Sequence, residues 1–148
     1  DLGCGSGVVS LAALRLGFAP VTGVDVDPVA VHAAAGNAAR NGLVPTLVVG
    51  DATDPTFRLP TADVVVANIA LRPILRLAER WSAAPQDGAA RAHGGPYRRA
   101  AERPPAELVL SGLLVEQAEE ALAAFPGYVE RARMDDGTWL TLRLSRAS

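Results

Sequence analysis

A glycine-rich turn opens this chain and constrains its fold more than any other feature. The first seven residues, DLGCGSG, place glycine at Gly3, Gly5 and Gly7, and an apolar helical pattern begins directly after them. A second apolar run then ends in Asp25. Glycine turn, helix, strand and acid in this order are typical of a nucleotide-type cofactor site on an α/β sheet. Glycine lets backbone N–H groups approach a ligand, and the acid can accept hydrogen bonds from ribose hydroxyls.

The spacing of the glycines narrows the choice of cofactor. A dinucleotide fingerprint reads G-x-G-x-x-G, whereas here Gly7 comes one position too early and Val8 occupies the place of the third glycine. A P-loop, which binds nucleotide phosphates, needs a lysine after its glycines. The chain contains no lysine, so this class of site is excluded. The pattern favours a cofactor that has a ribose and an adenine but no pyrophosphate, which indicates S-adenosylmethionine. A βα turn that binds no ligand is the alternative interpretation.

The hydrophobic pattern predicts helices that alternate with strands. Predicted helices cover residues 8–16, 28–41, 74–83 and 115–124, and predicted strands cover 20–25, 43–50, 62–67, 107–111, 128–134 and 138–144. Asp27 and Pro28 mark a helix start, and Gly42 marks its end. The almost entirely apolar run at 43–50 is typical of a strand that is covered on both faces. The alternation predicts a parallel sheet with helices on both faces, and the Asp136-Gly137 turn predicts a closing antiparallel hairpin.

Polar residues follow four successive strands of this predicted sheet. Asp25, Asp51 and Asn68 each come directly after an apolar run, and Asp1 stands where the first strand of such a fold is expected to end. The carboxyl ends of parallel strands lie at one edge of a sheet, and this edge is where ligands bind in such folds. Each residue alone would be an ordinary loop residue, but together they predict one binding site.

Composition excludes several other classes of function. A length of 148 residues predicts one domain, covering 1–148, and a net charge of −2 argues against direct binding of nucleic acid. Cys4 is the only cysteine, so no disulfide forms within the chain, and no base is indicated that would make it a nucleophile. No apolar run has the length of a membrane helix. We therefore expect a cytoplasmic protein without metal or membrane partner, in which the Gly-, Pro- and Arg-rich segment 85–105 is a mobile loop.

With these motifs the chain resembles the class I S-adenosylmethionine-dependent methyltransferases. Within them it is most similar to the PrmA family, which methylates protein L11 of the large ribosomal subunit. The resemblance lies in DLGCGSGVVSLAALRLG, GVDVDPVAVHAAAGNAARNG, DVVVANI, LVLSGLLVEQAEEALAAF and GTWLTLRL, and covers almost the whole chain outside 85–105. It implies an α/β, Rossmann-like sheet, mostly parallel with a C-terminal antiparallel hairpin, and S-adenosyl-L-methionine as the cofactor.

The resemblance also implies a role for each residue that matches a family motif. Gly3 and its turn would pack against the methionine part of the cofactor, and Asp25 would bind the ribose hydroxyls. Asp51 with Ala52 would meet the adenine. Asn68 would contact the cofactor or the substrate amine and is the implied catalytic residue. The complete implied cofactor-binding set is Asp1, Gly3, Gly5, Gly7, Asp25, Asp51, Ala52 and Asn68.

The chain also departs from the family pattern. Its first strand is reduced to Asp1-Leu2, and the family's N-terminal recognition domain is absent, so we expect a fragment or an incomplete reading frame. After Asn68-Ile69 the order is Ala70-Leu71 instead of Leu-Ala. The resemblance implies a protein substrate, a ribosomal protein methylated on an amino nitrogen. A small-molecule methyltransferase, a methyltransferase for another protein's lysine and a non-catalytic relic of the fold remain alternatives, and nothing indicates an oligomeric state.

Overall fold

The computed structural model describes residues 1–82 and 103–147. Its helices are α1 (Val8–Arg15), α2 (Pro28–Asn41), α3 (Leu71–Ser82) and α4 (Ala118–Ala123), the last preceded by a 3₁₀ turn at Val115–Gln117. Its strands are β1 (Thr22–Asp25), β2 (Thr46–Val49), β3 (Val64–Asn68), β4 (Glu107–Leu114), β5 (Tyr128–Asp135) and β6 (Trp139–Arg146). The loop predicted at 85–105 lies outside the described residues except for its last three positions.

Leu2 stands at the centre of the sheet and joins its two parts. β1 pairs with β2 and β3 pairs with β4, both in parallel. Between the two pairs, Leu2 forms parallel bridges to Val24 of β1 and to Ala67 of β3, and its N–H donates to the Val66 carbonyl at 2.8 Å. β6 then runs antiparallel to both β4 and β5. The predicted fold class is confirmed: a mostly parallel α/β sheet with a terminal hairpin and a short first strand.

The boundaries of α2 follow from local chemistry, as predicted. The Asp27 carboxylate accepts a hydrogen bond from the Val29 N–H at 2.8 Å, and Pro28 occupies the first helical position. The helix ends at Gly42, whose φ of +63° is the left-handed conformation that terminates many helices. The hairpin turn is equally local, since the Asp136 carboxylate accepts hydrogen bonds from the N–H groups of the two residues that follow Gly137.

The expectation that the strand at 43–50 is covered on both faces was wrong. β2 is shorter, at Thr46–Val49, and neither end of it is buried; Val49 is 50% exposed. Within the described residues β2 pairs only with β1, so it lies at an edge of the sheet. The run of β-branched residues therefore reflects strand propensity and not burial on two faces.

Three other predicted boundaries differ from those in the structure. α3 begins at Leu71, three residues earlier than predicted, since Pro73 is tolerated in a first helical turn. β4 continues to Leu114, past a bulge at Gly112 whose φ is +75°. The helix predicted at 115–124 divides into the 3₁₀ turn and α4.

A single cluster of buried apolar side chains joins these elements. It draws on Leu2, on β1, β3, β4 and β6, and on α3 and α4. The ring of Trp81 lies 6.4 Å from that of Phe125, which meets Tyr128 edge to face at 5.9 Å. A cavity of about 380 Å³ lies beside this core at the amino ends of β1 and β3, and Asp1 is among the residues that line it. None of the helices in the described part is long and apolar enough to span a membrane.

Candidate functional site

The glycine turn is held in a conformation that only glycine adopts readily. Gly3, Gly5 and Gly7 have φ values of +70°, +52° and +83°. A Cβ on Gly3 would lie 2.3 Å from a methyl carbon of Ile69, and one on Gly7 would lie 2.9 Å from Cβ of Ala34. A Cβ on Gly5 would meet no described atom within 4 Å. The turn is therefore wedged between the end of β3 and α2, while its middle faces open space that a ligand can fill.

The Asp25 side chain is hydrogen-bonded directly to this turn. Its Oδ2 accepts a hydrogen bond from the Gly5 N–H at 2.7 Å, and its Oδ1 accepts one from the Asp27 N–H at 3.0 Å. A carboxylate offers about four acceptor positions, so these two bonds leave capacity for further donors. The side chain is half-buried. The structure thus brings the acid at the end of β1 against the open position of the turn, as the sequence predicted.

Asp51 lies at the end of the neighbouring strand. The Gly50 N–H donates to the main-chain carbonyl of Asp25 at 2.8 Å, so Asp51 follows directly beside the acid of β1. Its Oδ1 accepts hydrogen bonds from the Thr53 hydroxyl and N–H at 2.7 and 2.8 Å, and these bonds hold the pKa of the Asp51 carboxyl below its usual range. Asp51 is exposed and negatively charged near neutral pH, and Ala52 follows it.

Asn68 lies at the same edge of the sheet, at the carboxyl end of β3. It is the last residue of β3 and is exposed, one residue before Ile69, which packs on Gly3. A Cβ on Gly112 would lie 3.0 Å from Oδ1 of Asn68, so the β4 bulge packs closely on this side chain. An open cavity of about 610 Å³ lies here; it is lined by Asn68, Leu71, Ser111, Gly112, Gln117 and Trp139.

Sequence reasoning named only Asn68 among the residues that line this cavity; Gly112, Gln117 and Trp139 are among those it missed. Trp139 is 56% exposed at the start of β6, and Gln117 accepts a hydrogen bond from the Leu114 N–H at 2.9 Å through its side chain. An isolated glycine within a strand pattern is a recognised signal for a bulge, so Gly112 offered a clue. Trp139 and Gln117 had none beyond belonging to the quoted motifs. Pairing of β6 with β4 brings Trp139 here, and Gln117 lies in the 3₁₀ turn that follows β4.

Asp1 has a different set of contacts. Its Oδ2 accepts hydrogen bonds from the hydroxyl and N–H of Ser10, at 2.6 and 2.9 Å, and Ser10 is completely buried. These bonds tie the start of the turn to the first turn of α1. Asp1 as a cofactor-binding residue stays a prediction, and its bonds indicate that it shapes the turn.

Cys4 is buried within the turn. Burial raises the pKa of the Cys4 thiol, and the nearby negative charge of Asp25 adds to this effect. The thiol is therefore neutral at physiological pH and fills space in the turn. Among residues 1–82 and 103–147, no group of three or more His, Cys, Asp or Glu is arranged to hold a metal ion.

The geometry gathers the predicted residues at one edge of the sheet. Gly5 contacts Asp25, Gly50 contacts Asp25, and Gly3 contacts Ile69, so the turn and the ends of β1, β2 and β3 form one continuous surface. This surface offers open space beside Gly5, two carboxylates and an amide. Such groups suit a ligand with hydroxyl and amine donors and little negative charge of its own.

Comparison with known proteins identifies relatives along the whole chain. The sequence model of the family described as ribosomal protein L11 methyltransferase (PrmA) matches residues 1–147. A ribosomal protein L11 methyltransferase of Rhizobium meliloti is 38% identical over 99% of this chain and 46% of its own length. One of Ectopseudomonas mendocina is 40% identical over 86% of this chain and 37% of its own length. The chain thus spans less than half the length of these curated relatives.

A solved structure shares the fold. The crystal structure of a ribosomal protein L11 methylase from Lactobacillus delbrueckii subsp. bulgaricus superposes with a TM-score of 0.76 at 24% sequence identity. The match covers 100% of this chain and 69% of that one. The likeness is one of fold: the same α/β sheet with its antiparallel strands.

Proposed function

The chain belongs to the family of ribosomal protein L11 methyltransferases (PrmA), and on that premise we propose that it forms the cofactor-binding part of an S-adenosylmethionine-dependent protein methyltransferase. The methyl group would pass from the sulfonium of the cofactor to an amino nitrogen of a ribosomal protein. The new bond is C–N, the broken bond is C–S, and the thioether product S-adenosylhomocysteine leaves. A ribosomal substrate would place the activity in the cytoplasm.

The observation that carries this proposal is the hydrogen bond between the Gly5 N–H and the Asp25 carboxylate, beside an open turn. The turn presents space where a Cβ on Gly5 would otherwise project, so an adenosyl group can approach the backbone. The remaining acceptor positions of Asp25 would take the two ribose hydroxyls. Asp51 can only accept hydrogen bonds when ionised, so it would accept from the exocyclic amine of adenine, while the Ala52 N–H would donate to a ring nitrogen.

Asn68 and the cavity beside it would receive the methyl acceptor. Asn68 stands between the glycine turn and this cavity, since its neighbour Ile69 packs on Gly3 and its own amide packs on Gly112. Its amide oxygen can accept a hydrogen bond from an incoming amine and orient the nitrogen lone pair. The exposed face of Trp139 offers an apolar wall for the stem of a long amine side chain.

The chain's own contribution to the reaction would be alignment. Holding donor and acceptor in line removes most of the entropic cost of a bimolecular step, and S-adenosylmethionine supplies an activated methyl group. The acceptor amine must reach the site unprotonated, and contact with the apolar face of Trp139 would disfavour its charged form. The proton released after transfer would pass to solvent through the open side of the cavity.

Two measurements test the proposal in sequence. Calorimetric titration of S-adenosylhomocysteine into the chain tests the cofactor site, and labelled methyl transfer to isolated ribosomal protein L11 tests the substrate. Binding together with transfer supports the whole proposal. Binding with transfer to a small amine or to another protein, but not to L11, would replace the substrate assignment. Absence of binding would mean that the edge is a relic of a cofactor site.

A further inference from the structure

The segment that follows Asp51 is organised by short-range hydrogen bonds. The Asp54 N–H donates to the Asp51 carbonyl at 3.1 Å, and the Phe57 N–H donates to the Asp54 carbonyl at 3.1 Å. The Asp54 carboxylate accepts a hydrogen bond from the Thr56 N–H at 2.7 Å. Each of these bonds closes one turn within the segment 51–57, so none of them attaches the segment to a neighbouring element.

Arg80 provides such an attachment. It lies in the last turn of α3, and its side chain is half-buried. Its Nη1 donates to the main-chain carbonyls of Ala52 and Asp54, both at 2.7 Å, and its Nη2 donates to the carbonyl of Phe57. One planar guanidinium therefore gathers three carbonyls that lie 23–28 residues away in sequence.

A second contact attaches the same segment to the end of β2. A Cβ on Gly50 would lie 2.2 Å from the ring of Phe57, so this ring packs directly on the backbone that leads into Asp51. The carbonyl of Phe57 is also one of the three that Arg80 binds. Arg80 thus holds both the backbone after Asp51 and the ring that covers the backbone before it.

We propose that Arg80 is a positioning residue for the adenine end of the cofactor site. This inference rests on the proposed function, in which Asp51 and Ala52 meet the adenine. Arg80 acts through the Ala52 carbonyl, because holding the peptide plane after Ala52 restricts backbone rotation at the residue whose N–H is assigned to the adenine. A lysine ammonium at this position could donate a hydrogen bond to one of the three carbonyls, but it lacks the planar guanidinium that lets arginine reach all of them. Pre-ordering of this segment lowers the entropic cost of binding the base.

The test compares two ligands that differ only at the base. S-adenosylhomocysteine carries an amine donor and a ring acceptor, whereas S-inosylhomocysteine carries a carbonyl and a ring N–H in their places. We expect the wild-type chain to prefer the adenosyl ligand. In Arg80→Gln this preference should fall about tenfold, which is the effect of one lost hydrogen bond to the base. In Arg80→Lys the ligand preference should be intermediate between those of the wild type and Arg80→Gln.

The controls separate positioning from general stability. Arg131→Gln removes an equal charge from an exposed site on β5 and should keep the wild-type preference. All titrations are made well below the melting temperature of each variant, where a loss of stability alone leaves the ratio of the two affinities unchanged. Hydrogen exchange of the amides of Thr53, Asp54, Thr56 and Phe57 gives an independent measure, since protection in the ligand-free chain should fall in Arg80→Gln.

Each outcome has a distinct meaning. If the Arg80 variants keep both the wild-type ligand preference and the wild-type protection at 53–57, the inference is overturned while the proposed function stands. If protection falls but the preference does not, Arg80 stabilises the segment without positioning it for the base, which also overturns the inference. If the wild-type chain binds neither ligand, the proposed function itself fails.

Discussion

Replacement of Asp25 by alanine should weaken cofactor binding about a hundredfold. The carboxylate accepts hydrogen bonds from the Gly5 and Asp27 N–H groups at 2.7 and 3.0 Å, and its remaining acceptor positions are those assigned to the ribose. A hydrogen bond to a charged group contributes about 1.5–3 kcal/mol, and the lower value applies because the side chain is only half-buried. Loss of two ribose bonds then costs about 3 kcal/mol, or about two decades in Kd.

The same variant should also lose stability without ligand, because two backbone donors lose their acceptor. The assay is therefore calorimetric titration of S-adenosylhomocysteine, with a denaturant melt of each ligand-free protein. Asp136→Ala is the matched control, since Asp136 also accepts two backbone N–H bonds, at 2.9 and 2.8 Å, in the hairpin turn. It should lose stability but keep wild-type affinity. Wild-type affinity in Asp25→Ala, or an equal loss of affinity in the control, would refute the assignment of Asp25 to the ribose.

Three further predictions concern the turn and the acceptor side. Asn68→Ala should slow methyl transfer and leave the melting temperature unchanged, because Asn68 is exposed; equal turnover would remove its assigned role. Gly3→Ala should destabilise the chain by about 2 kcal/mol or more in a denaturant melt. The left-handed φ of Gly3 disfavours any side chain, and the added Cβ would lie 2.3 Å from a methyl carbon of Ile69. An unchanged midpoint of the melt would contradict this geometry. The raised pKa of the Cys4 thiol contributes stability that is complete below its ordinary value of 9.0 and is lost as pH rises beyond it. Melts between pH 8 and 10 should therefore show a falling stability that Cys4→Ala does not show.

Local signals predicted much of the fold correctly. The start of α2 at Asp27 and its end at Gly42, and the hairpin around Asp136, depend on hydrogen bonds between residues two or three positions apart. Propensity and capping chemistry report such bonds directly. The burial of β2 was misjudged because an apolar run looks the same in an edge strand and in a covered one. α3 begins three residues earlier than predicted, with Pro73 in its first turn, and apolar periodicity does not record such a start.

The candidate site was likewise predictable only in part from the sequence. The residue types at the strand ends, Asp25, Asp51 and Asn68, could be named from the sequence because a parallel sheet places all its strand ends at one edge. Trp139 could not, because it reaches this edge only through the antiparallel pairing of β6 with β4.

The sequence by itself determined the glycine turn, the order of helices and strands, the acids that follow the strands and the family to which the chain belongs. Tertiary structure alone decided that Leu2 joins the two parts of the sheet, that Asp1 bonds to Ser10, and that Arg80 binds the segment after Asp51. The physical reason is range. Turns, caps and periodicity arise from interactions within a few residues, so they can be read along the chain. Contacts between residues far apart depend on how complete elements pack, and they exist only once the sheet has formed.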